Sequence, residues 1–207
     1  KETIYIKMMM VILELENIKM CQLTFCYSND NDFIKRYTLI QSVINSQGRH
    51  DDGFGMFYNN KKIMKTKLAA NEISNLGKLL KPITTNKIIS HCRDASFNVP
   101  VEDKYSHPFE SEHFILAHNG QLKEKFKVVI PAKSLSDSEN FLSLMELYYL
   151  DEKDFVKLIN KTMSDFTGSF AFLIYYKPEK KYYAIRGKTK LLHYVKVKVG
   201  EIDVYMI

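Results

Sequence analysis

Apolar positions recur at two different periods along this chain, and the switches between them mark out its elements. Over residues 21–27 (Cys-Gln-Leu-Thr-Phe-Cys-Tyr) polar and apolar residues alternate, the period of a half-buried strand. Asp30, Asn31 and Asp32 then supply a helix cap, and Phe33, Tyr37, Ile40 and Ile44 fall on one helical face. The Gly- and Asp-rich stretch 47–53 predicts a loop running into a strand over Phe54–Tyr58, and Asn59-Asn60 predicts a hairpin turn before Ile63 and Met64. Residues 68–80 predict a helix that ends near Pro82, and Lys87–Cys92 a buried strand. Another strand is expected over 114–118, with Asn119-Gly120 at its end, a dipeptide that readily takes positive φ.

The second half repeats the logic. Ser136 can cap a helix over 136–149, with Glu139 completing a capping box and Phe141, Leu142, Met145 and Tyr149 as the apolar face. A further helix is expected over 155–163, then two β-rich runs at 169–176 and 182–185 joined by a turn at Lys177-Pro178-Glu179-Lys180. Strands dominate both ends and helices the middle, which predicts an α+β sandwich with two packed sheets inside and helices outside.

Composition narrows the class. A chain of 207 residues, 45% hydrophobic and 26% charged, is long enough to bury a sizeable core as one large domain or two small ones. The net charge of +6 is scattered, and no basic run alternates with exposed aromatics, so a solvated surface is expected and no nucleic-acid partner. The apolar run 8–13 is too short to span a membrane, and no signal-peptide cleavage site follows it. Three cysteines, Cys21, Cys26 and Cys92, make no Cys-x-x-Cys pair and no even set, which suits a reducing, cytoplasmic setting. Residues 1–20 read as a leader, a propeptide or a mis-assigned upstream extension ahead of a domain at 21–207, with Met20 directly before Cys21.

Candidate chemistry clusters between Lys87 and Gly120. Ser90-His91-Cys92-Arg93-Asp94-Ala95-Ser96 ends one buried strand and Ala117-His118-Asn119-Gly120 ends another, as when two neighbouring strands aim side chains into one pocket. Taken singly, each residue has two readings. Cys21 is a small buried strand residue or a nucleophile, Arg93 a structural ion pair or a carboxylate fork, and Asn119-Gly120 a tight turn or an oxyanion hole. Cys26, five positions on, falls on the opposite strand face and reads as core. His91, His107 and His118 show no zinc spacing, and no metal or cofactor is expected.

Together these motifs resemble the class II glutamine amidotransferase domain of the N-terminal nucleophile hydrolases, in its stand-alone bacterial and phage form. The residues that carry the resemblance are Cys21-Gln22-Leu23, His50-Asp51-Asp52-Gly53-Phe54-Gly55, His91-Cys92-Arg93-Asp94-Ala95, His107-Pro108-Phe109, His118-Asn119-Gly120 and Asp137-Ser138-Glu139. Six motifs in family order over residues 21 to about 194 are far more specific than any one alone. The resemblance implies a four-layer αββα sandwich and hydrolysis of the glutamine side-chain amide through a Cys21 thioester. It implies Asn119 and Gly120 as the oxyanion hole, Arg93 for the α-carboxylate and Asp137 for the α-ammonium. Ser96 and His91 fall within the substrate-binding motif, Asp52 and Gly53 shape the pocket floor, and Arg49 or His50 contacts substrate.

The base would be the α-amino group of an N-terminal Cys21, which titrates at about 7.7–8.0, whereas an amide nitrogen has no usable lone pair. The bond between Met20 and Cys21 is therefore expected to be absent in an active enzyme. Asp94 and the pair Phe97-Asn98 depart from the family pattern, which bears on the pocket lid. Ammonia needs an acceptor, expected on a separate synthase subunit, and a homo-oligomer is compatible with the sequence. Rival readings are a hydrolase of another γ-glutamyl amide and a catalytically inactive relative used for binding or assembly.

Overall fold

A computed structural model describes residues 21–47, 50–125 and 133–207. The expectations for residues 1–20 and for Arg49 lie outside the described residues. Among the described residues ten strands make two antiparallel sheets. The six-stranded sheet runs β3-β2-β4-β1-β10-β9, from β1 (Gln22–Ser28), β2 (Phe54–Tyr58), β3 (Lys62–Thr66), β4 (Lys87–Cys92), β9 (Val195–Val199) and β10 (Ile202–Met206). The four-stranded sheet runs β5-β6-β7-β8, from β5 (Phe109–Glu110), β6 (Phe114–Glu124), β7 (Phe166–Tyr176) and β8 (Lys181–Arg186).

Three apolar layers hold these elements as a sandwich. Phe57, Ile89, Ile115, Ala117, Leu173 and Tyr175 fill the space between the sheets. Ile34, Met56, Leu80, Ile88 and Val204 join the outer face of the large sheet to α1 (Asn31–Ser46) and α2 (Leu76–Leu80). Phe114, Phe141, Met145, Leu158 and Phe172 join the small sheet to α3 (Asp137–Tyr148) and α4 (Phe155–Ser164). Each fully buried side chain of this size contributes about 1.5–3 kcal/mol. The order is helix, sheet, sheet, helix, the αββα architecture that the sequence motifs imply.

Alternation on β1 sets the direction of the chemistry. Leu23 and Phe25 face the partner sheet, while Cys26 points the other way and is fully buried beneath the helices. Cys21 shares parity with Leu23 and so opens towards the space between the sheets.

Local expectations met the structure unevenly. Asn59 and Asn60 both take φ near +53°, the paired left-handed residues of a type I′ hairpin. Ser136 caps α3 by accepting from the Glu139 N–H. The helix expected over 68–80 is instead a single 3₁₀ turn (Ala70–Glu72) and the short α2. Ser74 and Asn75 break it, and Glu72 turns back to accept from the Ala69 N–H.

The face expected for α1 is also corrected. Ile40 and Ile44 are 55% and 45% exposed, Phe33 and Tyr37 only flank the core, and Ile34, Thr38, Ser42 and Ser46 face the sheet. Small side chains let the helix lie close, and the buried Ser46 hydroxyl is satisfied by donating to the Ser42 carbonyl at 2.8 Å. The strand expected over 114–118 runs on through Asn119-Gly120 to Glu124. The β9–β10 hairpin, absent from the sequence reading, closes the large sheet when β10 pairs with β1.

Candidate active site

The two sheets open at one end into a cleft of about 360 Å³, within the ~300–1,000 Å³ range of small-molecule sites. Cys21, Arg93, Ser96, Asn119, Gly120 and Asp137 all line it, gathered from β1, the end of β4, mid-β6 and the start of α3. Antiparallel register does the gathering. Gln22 pairs with Cys92 and Leu23 with His91, which puts Cys21 at the level of Arg93.

The Cys21 thiol lies between the backbone groups of Asp94, with the Asp94 N–H and the Asp94 carbonyl each 3.4 Å from Sγ. Burial pushes its pKa up to about 11, the Asp94 N–H and Arg93 opposing that rise. At neutral pH the group is a thiol that needs a base before it can attack.

Arg93 is fixed at both ends. Its N–H donates to Gly53 O at 2.8 Å, and its carbonyl accepts from the Asp52 N–H at 3.1 Å. Its guanidinium donates to the carbonyls of Pro100 (3.1 Å), Asp52 (3.4 Å) and Val99 (3.4 Å). The carboxylates of Asp52 and Asp94 lie near enough to favour its charge, while its hydrogen bonds to Pro100, Asp52 and Val99 all go to backbone carbonyls.

Gly120 takes φ +148°, and a Cβ there would stand 2.0 Å from Ser169 O and 2.8 Å from His118 Nε2. Only glycine lets β6 pass so close to β7 at this point. Beside it, the buried Asn119 Oδ1 has no hydrogen-bond partner among the described residues. The Asp137 carboxylate accepts from the N–H groups of Leu122 and Ser138, both at 2.7 Å, and is 34% exposed towards the cleft.

His91, expected within the substrate-binding motif, and Asp52 and Gly53, expected to shape the pocket floor, do not themselves line the cleft. His91 is buried between the sheets with Nε2 3.1 Å from His118 O, and burial pushes its pKa down to about 3, so it is a neutral strut. Asp52 accepts from the Ala95 N–H at 2.8 Å and so braces the loop after Arg93. Gly53 has φ +146°, and a Cβ there would meet Ser106 Oγ at 2.5 Å, so it keeps that loop close to its neighbour. His50 is buried and does not line the cleft.

Other lining residues carried no signal in the sequence. Lys190, whose pKa burial lowers while the nearby Cys21 charge opposes, arrives on the β8–β9 connection, and Ser169 arrives through β7 opposite Gln121. Neither belongs to a motif, and only sheet register could have placed them. Away from the cleft, Glu112, His113 and Glu146 bring metal-ligating atoms within 4.8 Å of one another, with His113 and Glu146 hydrogen-bonded directly.

Comparison with known proteins decides what this cleft belongs to. Residues 20–146, more than half of the chain, match the family described as glutamine amidotransferases class-II. The chain belongs to the class II glutamine amidotransferases. The match to this family starts one residue before Cys21 and runs through Asp137. A curated relative, glutamine–fructose-6-phosphate aminotransferase [isomerizing] of Chlamydia pneumoniae, is 32% identical over 124 residues, covering 56% of this chain and 20% of that protein. Among solved structures, the glutamine phosphoribosylpyrophosphate amidotransferase of B. subtilis complexed with ADP and GMP superposes with TM-score 0.59 at 18% identity, over 89% of this chain and 41% of that one. A structure described as the allosteric regulatory enzyme of purine biosynthesis superposes with the same TM-score and identity. The fold is thus shared with class II amidotransferases, while this chain spans about a fifth of the curated relative and two fifths of the solved ones. Among the described residues no helix is long and apolar enough to cross a membrane.

Proposed function

We propose that this amidotransferase chain hydrolyses the side-chain amide of glutamine and hands on the ammonia. The observation that carries the reading is the convergence of Cys21, Arg93, Asn119, Gly120 and Asp137 on one cleft. Arg93 takes the α-carboxylate with two parallel hydrogen bonds, and Asp137, in a lone pair left by its backbone donors, takes the α-ammonium. Ser96, exposed on the rim, adds a polar contact.

The Cys21 α-amine takes the thiol proton and Sγ attacks the amide carbon. The oxygen charge that develops is received by the Asn119 amide and the Gly120 N–H. Collapse breaks the C–N bond, the amine's proton goes to the leaving nitrogen, and ammonia departs from a γ-glutamyl thioester. Water then adds to the thioester, releasing glutamate and the thiol. Because the thiol is pushed up to about 11 and needs a base, the mechanism requires a form of the chain that begins at Cys21. A chain that keeps Met20 bonded to Cys21 has no such amine and is restricted to binding. The acceptor for ammonia lies on a partner subunit or a further domain.

The direct test is glutamate release from glutamine by the purified protein and by Cys21→Ala. Release by the first and a loss of at least about a thousandfold in the second is the expected result. Equal release by both would overturn the assignment of the nucleophile.

A further inference from the structure

Along the wall of the cleft a chain of side chains joins the middle of β6 to the first turn of α3. His118 Nδ1 lies 2.8 Å from Ser138 Oγ, and that hydroxyl donates to Asp137 Oδ1 at 3.1 Å. His118 and Ser138 are each about 2% exposed. The Ser138 hydroxyl thus stands between the imidazole and the carboxylate within hydrogen-bond reach of both. The backbone of His118 is held in turn, its carbonyl 3.1 Å from His91 Nε2. On its other edge Nε2 faces the Gly120 backbone closely enough that a Cβ there would stand 2.8 Å away. One ring thus stands between the residue proposed to receive the oxyanion and the residue proposed to receive the α-ammonium.

We infer that His118 and Ser138 are positioning residues that set the orientation of the Asp137 carboxylate, and with it the selection of substrates bearing an α-ammonium. The inference rests on the proposed glutaminase reading and deepens it. Asp137 Oδ2 is fixed by the Leu122 N–H and Oδ1 by the Ser138 N–H, both at 2.7 Å. The Leu122 donor is backbone of β6, whereas the Ser138 hydroxyl is a side-chain contact to this carboxylate with the His118 ring behind it, Nδ1 lying 4.0 Å from Asp137 Oδ1. Removing the hydroxyl takes one of two donors from Oδ1 and loosens the aim of the carboxylate at an incoming ammonium while leaving the Cys21 thiol and the Arg93 fork in place.

The test compares Ser138→Ala, His118→Phe and His118→Asn, the last keeping an N–H near the Nδ1 position. Each is assayed with glutamine and with its analogue lacking the α-amino group, and glutamate binding is measured by calorimetry alongside. Ser138→Ala and His118→Phe are expected to raise KM for glutamine about ten- to a hundredfold, the range for a lost hydrogen bond to a charged group. In both, kcat should fall far less, preference for glutamine over the deamino analogue should shrink by the same factor, and His118→Asn should restore most of it. A merely structural defect would lower activity on both substrates alike. If wild type releases glutamate and both substitutions leave the discrimination ratio intact, the positioning role is overturned and the glutaminase reading stands. If wild type neither releases glutamate nor binds it, both are overturned together.

Discussion

Cys21 and Arg93 carry opposite electrostatic problems, and each is solved by backbone. The thiol is buried, pushed up to about 11 and bracketed by the N–H and carbonyl of Asp94, so its ionisation depends on what base and which cations are near. The guanidinium is held by hydrogen bonds to three carbonyls, with the charges of Asp52 and Asp94 favouring its cation. A lysine in the same place keeps the charge and loses the fork. Arg93→Lys is therefore expected to raise KM for glutamine by about ten- to a hundredfold while retaining most of kcat. Initial-rate kinetics check this, and an unchanged KM would remove Arg93 from the carboxylate site. The places of Arg93 and Asp137 on the cleft were legible because residue types in fixed motifs carry their chemistry with them. Those of Asp52, Gly53 and His91 were not, since a motif records that a residue is needed without recording whether it faces the ligand or braces a neighbour.

Among the elements, β6 is the one on which the site turns. It pairs with β7 along its whole length from Phe114↔Tyr176 to Glu124↔Phe166, and Gly120 is where the two backbones come closest to the cleft. Gly120→Ala puts a methyl 2.0 Å from Ser169 O at φ +148°. The cost is roughly 2–6 kcal/mol from backbone strain and overpacking. Urea denaturation of the variant is expected to show that loss together with abolished glutamate release, and a stability within 0.5 kcal/mol of wild type, about the scatter of surface substitutions, would contradict it. Period-two alternation and turn chemistry predicted β1, β2, β4 and the Asn59-Asn60 hairpin correctly. The α1 face and the 68–80 segment were misread because apolar periodicity assumes that large side chains face the core. In α1 it is Ser and Thr that lie against the sheet, where close backbone approach outweighs bulk.

At the scale of the whole molecule, the sheets are joined beside the cleft by three buried histidines, of which His107 and His118 line it. His91 on β4 stacks on His107 with ring centres 4.2 Å apart, and His118 on β6 lies 6.4 Å from His107. Burial lowers the pKa of all three, His91 to about 3, with the neighbouring imidazoles adding to the effect at His107 and the Asp137 carboxylate opposing it at His118. Groups whose folded pKa lies below the unfolded value of about 6.5 stabilise the fold above that pH and withdraw support as it falls. Each group held neutral in this way adds a slope of up to about 1.4 kcal/mol per pH unit below about pH 6.5. The urea midpoint is expected to drop steeply between pH 7 and 5.5, and a flat midpoint would show that the histidines are not held neutral. The layered architecture itself was legible from the order of strands and helices, whereas the β9–β10 closure and the arrival of Lys190 depend on strand pairing between distant parts of the chain.

The account rests most heavily on Cys21 acting from a free N-terminus, and intact mass of the active protein after reaction with a thiol-reactive glutamine analogue tests that most directly. The predicted result is a single adduct on a chain whose first residue is Cys21, with glutamate release lost in proportion to labelling. An adduct on a chain that still carries Met20, or glutamate release that survives complete labelling, would contradict it.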